Sequence, residues 1–242
     1  MAAAAAAVGA TRVATTNGKT VDQSGRPLGP RALETRQRLL DATVALLDET
    51  SVRDLSVVDI ARKANTSPAT FYQYFKDVGE VTLRLAEQAA EETPALVELI
   101  DCSWKGQKGL DTARALARAF VDHWDAYRSV LLVRNLAADE GDRRFMNIRR
   151  RALSPVIEHI AKRIEENQAQ GRIAPELHPA AAAAAMAAIL ERLAAYHREI
   201  EFFGAGREEL IESCARILFQ TVTGRASNPY CDFLHSLYLK WP

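Results

Sequence analysis

The chain has 242 residues, and its 31 lysines and arginines are balanced by 31 aspartates and glutamates. This length fits one large domain or a small domain followed by a larger one, and the even balance means that any nucleic-acid contact must come from a local basic patch. The three cysteines form no Cys-x-x-Cys pair, and no apolar run reaches the roughly 18 residues of a membrane span, so we expect a cytoplasmic protein with reduced thiols, no bound metal and no membrane contact.

The first segment, residues 1–30, is rich in alanine, glycine, threonine and serine and lacks aromatic residues. It buries too little surface to offset its ordering entropy, so we predict a disordered arm. Up to residue 38 the chain carries six basic side chains against two acidic ones, and the basic ones are Arg12, Lys19, Arg26, Arg31, Arg36 and Arg38. This basic run fits an arm that contacts DNA phosphates and equally a solvated tail.

The first predicted helix covers residues 33–49, where leucines recur at the three-to-four spacing of one helical face. Ser56, with Asp59 three residues later, is typical of a capping box and predicts a second helix that ends near Ala64. Asn65 then interrupts the helical pattern. The second helix is therefore short.

A third short helix is predicted from Pro68 to about Tyr74, because Ser67 can cap it and proline suits a first turn. Asp77 and Glu80 repeat the capping pattern at the start of a fourth, longer helix. Two short helices joined by a tight turn, with another helix ahead of them, are the layout of a helix-turn-helix unit, whose second helix lies in a major groove.

The third helix has two chemically different sides. Phe71 and Phe75 are four residues apart and share one face, so we expect them to pack in the core. Hydroxyls and an amide lie on the other side, on Thr70, Tyr72, Gln73 and Tyr74. Such a side fits DNA contact and also an ordinary amphipathic surface.

The run from Leu55 to Phe75 resembles the DNA-binding signature of the TetR family of bacterial repressors. In that signature a hydroxyl residue opens the second helix, an Ile-Ala pair packs it, and the recognition helix carries an aromatic pair followed by an aromatic residue or histidine and a phenylalanine. The likeness extends over about Thr35 to Leu85. It implies an all-α protein in which a three-helix helix-turn-helix domain precedes a larger helical domain for ligand binding and dimerisation.

The resemblance also implies the limits of the segments and the roles of residues. We expect the arm over 1–30, the DNA-binding domain over 31–77, the helical domain over 78–224 and an apolar tail over 225–242. Phosphate contacts would come from Ser56, Tyr72 and Tyr74, and base or sugar contacts from Pro68, Ala69, Thr70 and Gln73.

Three positions depart from the family pattern. Asn65 stands where glycine is usual, but asparagine tolerates a left-handed conformation, so the turn can survive. Val58 replaces a basic residue of the second helix, which removes a phosphate contact. Val78 replaces the lysine common at the start of the fourth helix, with Lys76 as a substitute. These losses give the basic arm more weight in DNA binding.

Beyond about Pro94 only coarse helices can be predicted, and no strand pattern is present. Their approximate ranges are 110–127, 129–138, 142–171 with a kink at Pro155, 180–203 and 208–223. The resemblance implies that the last two pair with their copies in a homodimer. Small side chains at Ala180–Ala185, Ala187 and Ala188, continued by Ile189, Leu193 and Tyr196, let helices approach closely, although the same run could be buried within one subunit.

A small-molecule effector would be surrounded by the same helices. The candidate residues for its site are Trp104, Phe120, His123, Trp124, Tyr127, Leu131, Met146 and Ile157, each of which fits plain core as well. His123 is the polar group expected to orient a ligand. The tail beyond residue 224 is too apolar for an ordinary disordered terminus, and we expect it either to dock on the body or to widen the dimer interface.

An enzyme is the main rival class, but the chain has no Gly-x-Ser-x-Gly elbow, no phosphate-binding glycine loop and no Glu-x-x-His pair. We therefore expect no catalysis and no cofactor. His197 and Glu201 lie four residues apart, which predicts a surface ion pair rather than a metal site. A second rival is a dimeric DNA-binding protein that has no ligand. We predict a repressor that leaves a palindromic double-stranded operator when a small apolar or amphipathic effector binds.

Overall fold

The computed structural model describes residues 15–16 and 19–224. Within these residues two antiparallel strands of two residues each, β1 (Thr15–Thr16) and β2 (Lys19–Thr20), precede nine α-helices. The helices are α1 (Pro30–Leu47), α2 (Val57–Lys63), α3 (Pro68–Tyr74), α4 (Val78–Ala90), α5 (Pro94–Ile100), α6 (Gly106–Asp139), α7 (Arg143–Gln168), α8 (Pro179–Ile200) and α9 (Arg207–Thr223). The predicted all-α class is confirmed, although the short strand pair was not expected. The predicted behaviour of the tail 225–242 lies outside the described residues.

One compact unit comprises the described residues up to Glu92 together with Ser129–Arg150. In it α1 packs against α2, α3 and α4. The side chains at the centre of this packing are at most 1% exposed, and they are Leu39, Leu40, Ile60, Phe71 and Phe75. Burial of five large apolar side chains supplies the main stabilisation of so small a helical assembly, and two of the five, Phe71 and Phe75, attach α3 to this core.

The second unit comprises Thr93–Arg128 and the described residues from Arg151 onward. Its innermost side chains include Leu116, Ile160, Ile164 and Ile211, each at most 2% exposed. Residues 129–150 therefore cluster with the first unit. None of the described helices is long and apolar enough to cross a membrane.

The helix limits follow local signals in the chain. Tyr127 has non-helical dihedrals (φ −125°, ψ 22°) inside α6, at the break predicted between residues 127 and 129. Pro155 lies inside α7, as expected. Gly109 of α6 approaches the Trp104 backbone so closely that a Cβ would lie 2.4 Å from its carbonyl carbon. Helix α5 was not predicted.

Charged side chains link α6 to α9 in the second unit. Arg114 Nη2 donates to Glu212 Oε1 over 3.1 Å, and Arg118 Nη1 donates to Glu208 Oε1 over 2.8 Å. The hydrogen bond from Arg114, followed by that from Arg216, lowers the pKa of Glu212 to about 2. This carboxylate is therefore ionised wherever the protein is folded near neutral pH.

The predicted surface ion pair between His197 and Glu201 is wrong. His197 is only 4% exposed, its Nδ1 donates to the Ala194 carbonyl over 2.9 Å, and its Nε2 lies 3.4 Å from Asp125 Oδ1 of α6. Spacing along one helix could not reveal the acid on another. Among the described residues no group of three potential ligands for a metal ion occurs.

Candidate DNA-binding interface

The turn between α2 and α3 is closed by two backbone hydrogen bonds. Asn65 N donates to Arg62 O over 3.1 Å, and Thr66 N donates to Ala61 O over 2.9 Å. This pair of bonds is the Schellman arrangement, which needs a left-handed residue directly after the helix. Asn65 supplies it with a φ of 53°, so the turn survives without glycine, as predicted.

Helix α3 begins at a capping serine and presents its aromatic residues on both sides. Ser67 Oγ accepts a hydrogen bond from Thr70 N over 3.2 Å, and Pro68 occupies the first turn. The Phe71 and Phe75 rings lie 5.6 Å apart within the core, while Tyr72 meets the edge of Phe71 and remains 53% exposed. The core phenylalanines thus direct the intervening polar residues outward.

The side chains expected to meet DNA lie on or beside this outward face. Five of them are exposed, namely Pro68, Ala69, Tyr72, Gln73 and Lys76, and the other three are half-buried, namely Ser56, Thr70 and Tyr74. The Ser56 hydroxyl caps α2 by accepting from Asp59 N over 3.2 Å and also contacts the Asp59 carboxylate. Thr70 Oγ1 lies 3.0 Å from Ser67 Oγ. Both hydroxyls therefore have partners within the chain, and a role for them in DNA contact stays a prediction.

The connection from α3 to α4 is held by the carboxylate of Glu80, which the sequence placed in a capping pattern but did not connect with residues ahead of α1. Glu80 Oε2 accepts from Lys76 N over 2.6 Å and from Gln23 Nε2 over 2.9 Å. Gln23 also donates through its backbone N to Gln73 O over 3.0 Å and through Nε2 to Tyr74 O over 3.2 Å. Helix α3 ends at Tyr74, so Gln23 satisfies carbonyls that its last turn leaves without partners.

Residues 21–27 depart from the predicted disorder, because they form a closed turn in front of α1. Asp22 Oδ1 accepts from Ser24 N, Ser24 Oγ and Arg26 N at 2.7–2.9 Å, and Val21 and Pro27 form a β-bridge. The hydrogen bond from the Ser24 hydroxyl, followed by that from Arg26 N, lowers the pKa of Asp22. The sequence signal that could have predicted this turn is the run Asp-Gln-Ser-Gly at residues 22–25, since aspartate, serine and glycine favour turns.

Arg36 does not belong to the basic surface that the sequence predicted. It is 5% exposed, and its guanidinium carbon lies 5.1 Å from the centre of the Phe75 ring. Burial, with the neighbouring Arg84, lowers the pKa of Arg36 to about 10, so it remains charged at neutral pH. Stacking on an aromatic face lets a guanidinium pack in this core.

Two departures from the family pattern lie in the first turns of α2 and α4. Val58 of α2 is 50% exposed, so half of this apolar side chain faces solvent. Val78 is half-buried at the first position of α4, and Lys76 is exposed two residues earlier. The basic side chain nearest in sequence to this end of α3 is therefore Lys76.

The candidate effector residues fall into both units. In the second unit Phe120 and Trp124 are each 3% exposed, and the rings of His123 and Tyr127 lie 5.2 Å apart. In the first unit Leu131 is fully buried, whereas Met146 is 48% exposed and belongs to no buried wall there. Of the two further candidates, Trp104 donates its Nε1 proton to Ile100 O over 2.8 Å and Ile157 is half-buried.

Comparisons with known proteins agree with this helical arrangement. Residues 39–78 match the family model described as "Bacterial regulatory proteins, tetR family", and residues 96–228 match that described as "Tetracyclin repressor-like, C-terminal domain". No curated protein matches the sequence significantly. Together the two family matches cover more than half of the 242 residues.

Solved structures with the same fold come from several bacteria. The MbdR regulator from Azoarcus sp. CIB is 16% identical with a TM-score of 0.60, over 77% of this chain and 98% of that one. The fatty acid degradation regulator FadR from Bacillus halodurans is 17% identical with a TM-score of 0.57, over 80% and 97%. A complex of SmeT with triclosan is 15% identical with a TM-score of 0.56, over 78% and 90%, and SmeT is described as the repressor of a Stenotrophomonas maltophilia multidrug efflux pump. At these identities the likeness establishes the fold alone.

The fold and the surface of α3 define a helix-turn-helix DNA-binding regulator of transcription. The chain belongs to the TetR family.

Proposed function

We propose that the protein is a repressor that binds a palindromic operator as a homodimer and leaves it when a small apolar or amphipathic effector binds. The observation that carries the DNA-binding part is the outward face of α3, where Tyr72 and Gln73 are exposed while Phe71 and Phe75 are fully buried. A helix whose apolar side is packed in the core and whose exposed side is polar can enter a major groove and present donors and acceptors to base edges.

Dimer formation is supported by exposed small and apolar side chains on α8 and α9. These helices pack against each other, and α8 leaves small side chains exposed at Ala181, Ala184, Ala185 and Ala188. On α9, Ile217 is 43% exposed. Such small side chains allow close packing of helices from two subunits, and a palindromic operator needs two recognition helices about 34 Å apart.

The proposed DNA contacts can be tested with two substitutions on α3. Tyr72→Phe removes a hydroxyl that would bond a phosphate, so binding to specific and random duplexes should weaken alike. Gln73→Ala should instead change sequence preference, since an amide can pair with adenine. Gln170→Ala is the matched control, because Gln170 is exposed and donates only to Glu166 O over 2.9 Å. Gel shifts in which the wild type binds no duplex at low salt, including the fragment upstream of its own gene, would refute DNA binding.

An effector site is proposed around Phe120, Trp124 and the half-buried His123 of α6. Two relatives of the same fold support this: one is described as a fatty acid degradation regulator and another is bound to triclosan. An effector releases DNA only if it binds the DNA-free state better, and by reciprocity it must then bind the DNA-bound dimer more weakly.

Thermal-shift measurements with triclosan and long-chain fatty acids, followed by gel shifts with each stabilising compound, test the proposed site. His123→Ala should weaken the response to such a compound, whereas His178→Ala, a change at an exposed histidine before α8, should not. If no compound both stabilises the protein and lowers its DNA affinity, a dimeric DNA-binding protein without a ligand becomes the better description.

A further inference from the structure

The closed turn ahead of α1 is docked on the recognition helix by one residue, Gln23. Its backbone N bonds Gln73 O over 3.0 Å, and its side-chain amide reaches Tyr74 O over 3.2 Å and Glu80 Oε2 over 2.9 Å. Gln23 thus connects residues far apart in the sequence, the last turn of α3 and the first turn of α4. An exposed glutamine with three such bonds is held in one orientation.

The turn is closed by hydrogen bonds between Asp22 and Arg26. Asp22 N donates to Arg26 O over 2.9 Å, Arg26 N donates back to Asp22 Oδ1 over 2.9 Å, and Gly25 adopts the left-handed φ of 82° that the turn requires. Arg26 is exposed. Gln23 therefore connects the backbone of this turn to α3.

Arg26 lies close to the point where the turn contacts α3. It follows Gln23 by three residues inside a closed turn, so its Cα is nearer to that of Gln23 than the roughly 11 Å that three extended residues would span. A major groove is about 12 Å wide, and phosphates line its edges. An arginine held at that range from the end of a helix in the groove reaches the flanking backbone.

The hydrogen bond from Gln23 to Glu80 has a second consequence for DNA binding. A carboxylate at the α3–α4 connection would repel phosphates, but its Oε2 is occupied by two donors, Gln23 Nε2 and Lys76 N. Arg144 also lies near enough for Glu80 and Asp77 to favour its charged form. Removing the Gln23 amide leaves this carboxylate with fewer donors beside the DNA.

We propose that Gln23 is a positioning residue of the DNA-binding surface and that the turn 21–27 is a second element of that surface, which holds Arg26 against a phosphate flanking the site of α3. The proposal rests on DNA binding by α3. It adds a phosphate-binding element ahead of the helix-turn-helix unit. The residues of this element precede the segment 39–78 that matches the family model.

A double-mutant cycle tests the proposal in the full chain. The probe is a duplex selected by the wild type from a randomised library, and affinity is measured over a range of salt concentrations. Gln23→Ala and Arg26→Ala should each weaken binding roughly tenfold, and each should reduce the slope of log K against log salt by about 0.9 for every phosphate that the variant no longer neutralises. In the double variant the losses should not add, because Arg26 can act only where Gln23 holds it.

Three further measurements separate positioning from general destabilisation. Gln170→Ala should leave affinity and slope unchanged, and the thermal unfolding of Gln23→Ala should stay close to that of the wild type, since Gln23 is exposed. Hydroxyl-radical footprints of Gln23→Ala should lose protection at the outermost phosphates and keep it in the centre. Additive losses, or an unchanged slope and footprint in Gln23→Ala, would overturn the proposal while DNA binding by α3 stands. A wild type that binds no duplex would overturn both.

Discussion

Replacing Ala184 by glutamate should break the proposed dimer. Ala184 is exposed on α8 between Ala181 and Ala188, on the face that we propose to pack against a second copy. In a two-fold interface each subunit contributes the same position, so one substitution buries two carboxylates. At a cost of about 2 kcal/mol for each unpaired charge, the dissociation constant should rise by roughly a thousandfold.

Size exclusion with light scattering measures this directly. The wild type should have a mass near twice 26.7 kDa, and Ala184→Glu should approach the monomer mass at micromolar concentration. Ala126→Glu is the matched control, because Ala126 is also an exposed helical alanine, but it lies on α6. It should stay dimeric. If Ala184→Glu dissociates no more readily than Ala126→Glu, the reasoning from the exposed alanine face is wrong.

Three other outcomes are expected. Val58→Arg should tighten DNA binding and steepen its salt dependence by about 0.9 for each additional phosphate that the arginine neutralises, and an unchanged slope in gel-shift titrations would mean that α2 does not approach the backbone there. Asn65→Val should lower the free energy of unfolding by about 1–2 kcal/mol in urea titrations, because a β-branched residue is strained at positive φ, whereas Asn65→Gly should not. Glu212 has its pKa lowered in the folded state from 4.5 to about 2, so its contribution to stability is present above pH 4.5 and is lost as the pH falls toward 2. The thermal unfolding midpoint of wild type should therefore fall more steeply over that interval than that of Glu212→Gln, and parallel curves would contradict the assignment.

Much of the DNA-binding fold could be predicted because its signals are local. A serine or aspartate cap opens each of α2, α3 and α4, and in each case the capping side chain accepts a hydrogen bond from the backbone three residues later. The left-handed turn at Asn65 follows from the chemistry of one residue. Where a single side chain and its near neighbours decide the structure, the sequence is sufficient.

The missed features lack a local signal in the sequence. Helix α5 has seven residues, as α2 and α3 do, but its N-cap residue Thr93 makes no side-chain capping hydrogen bond, so neither a cap nor a periodic pattern marks it. Gln23 resembles any polar residue of an arm until α3 and α4 bring Gln73 and Glu80 beside it. Arg36 counts as a surface charge until Phe75 packs over it.

The burial of Arg36 also bears on how fast the protein finds DNA. Long-range attraction between a protein and a polyanion accelerates their encounter in proportion to the charge that the surface presents. Arg36 is enclosed in the core with its guanidinium against the Phe75 ring, so its charge is not presented to solvent. Among the residues near α1 whose burial the structure describes, the exposed arginines of the basic run that can steer the approach of DNA are Arg26, Arg31 and Arg38. At physiological salt, where attraction fades over about 8 Å, association should be governed more by random collision and orientation than the basic run of the sequence suggests.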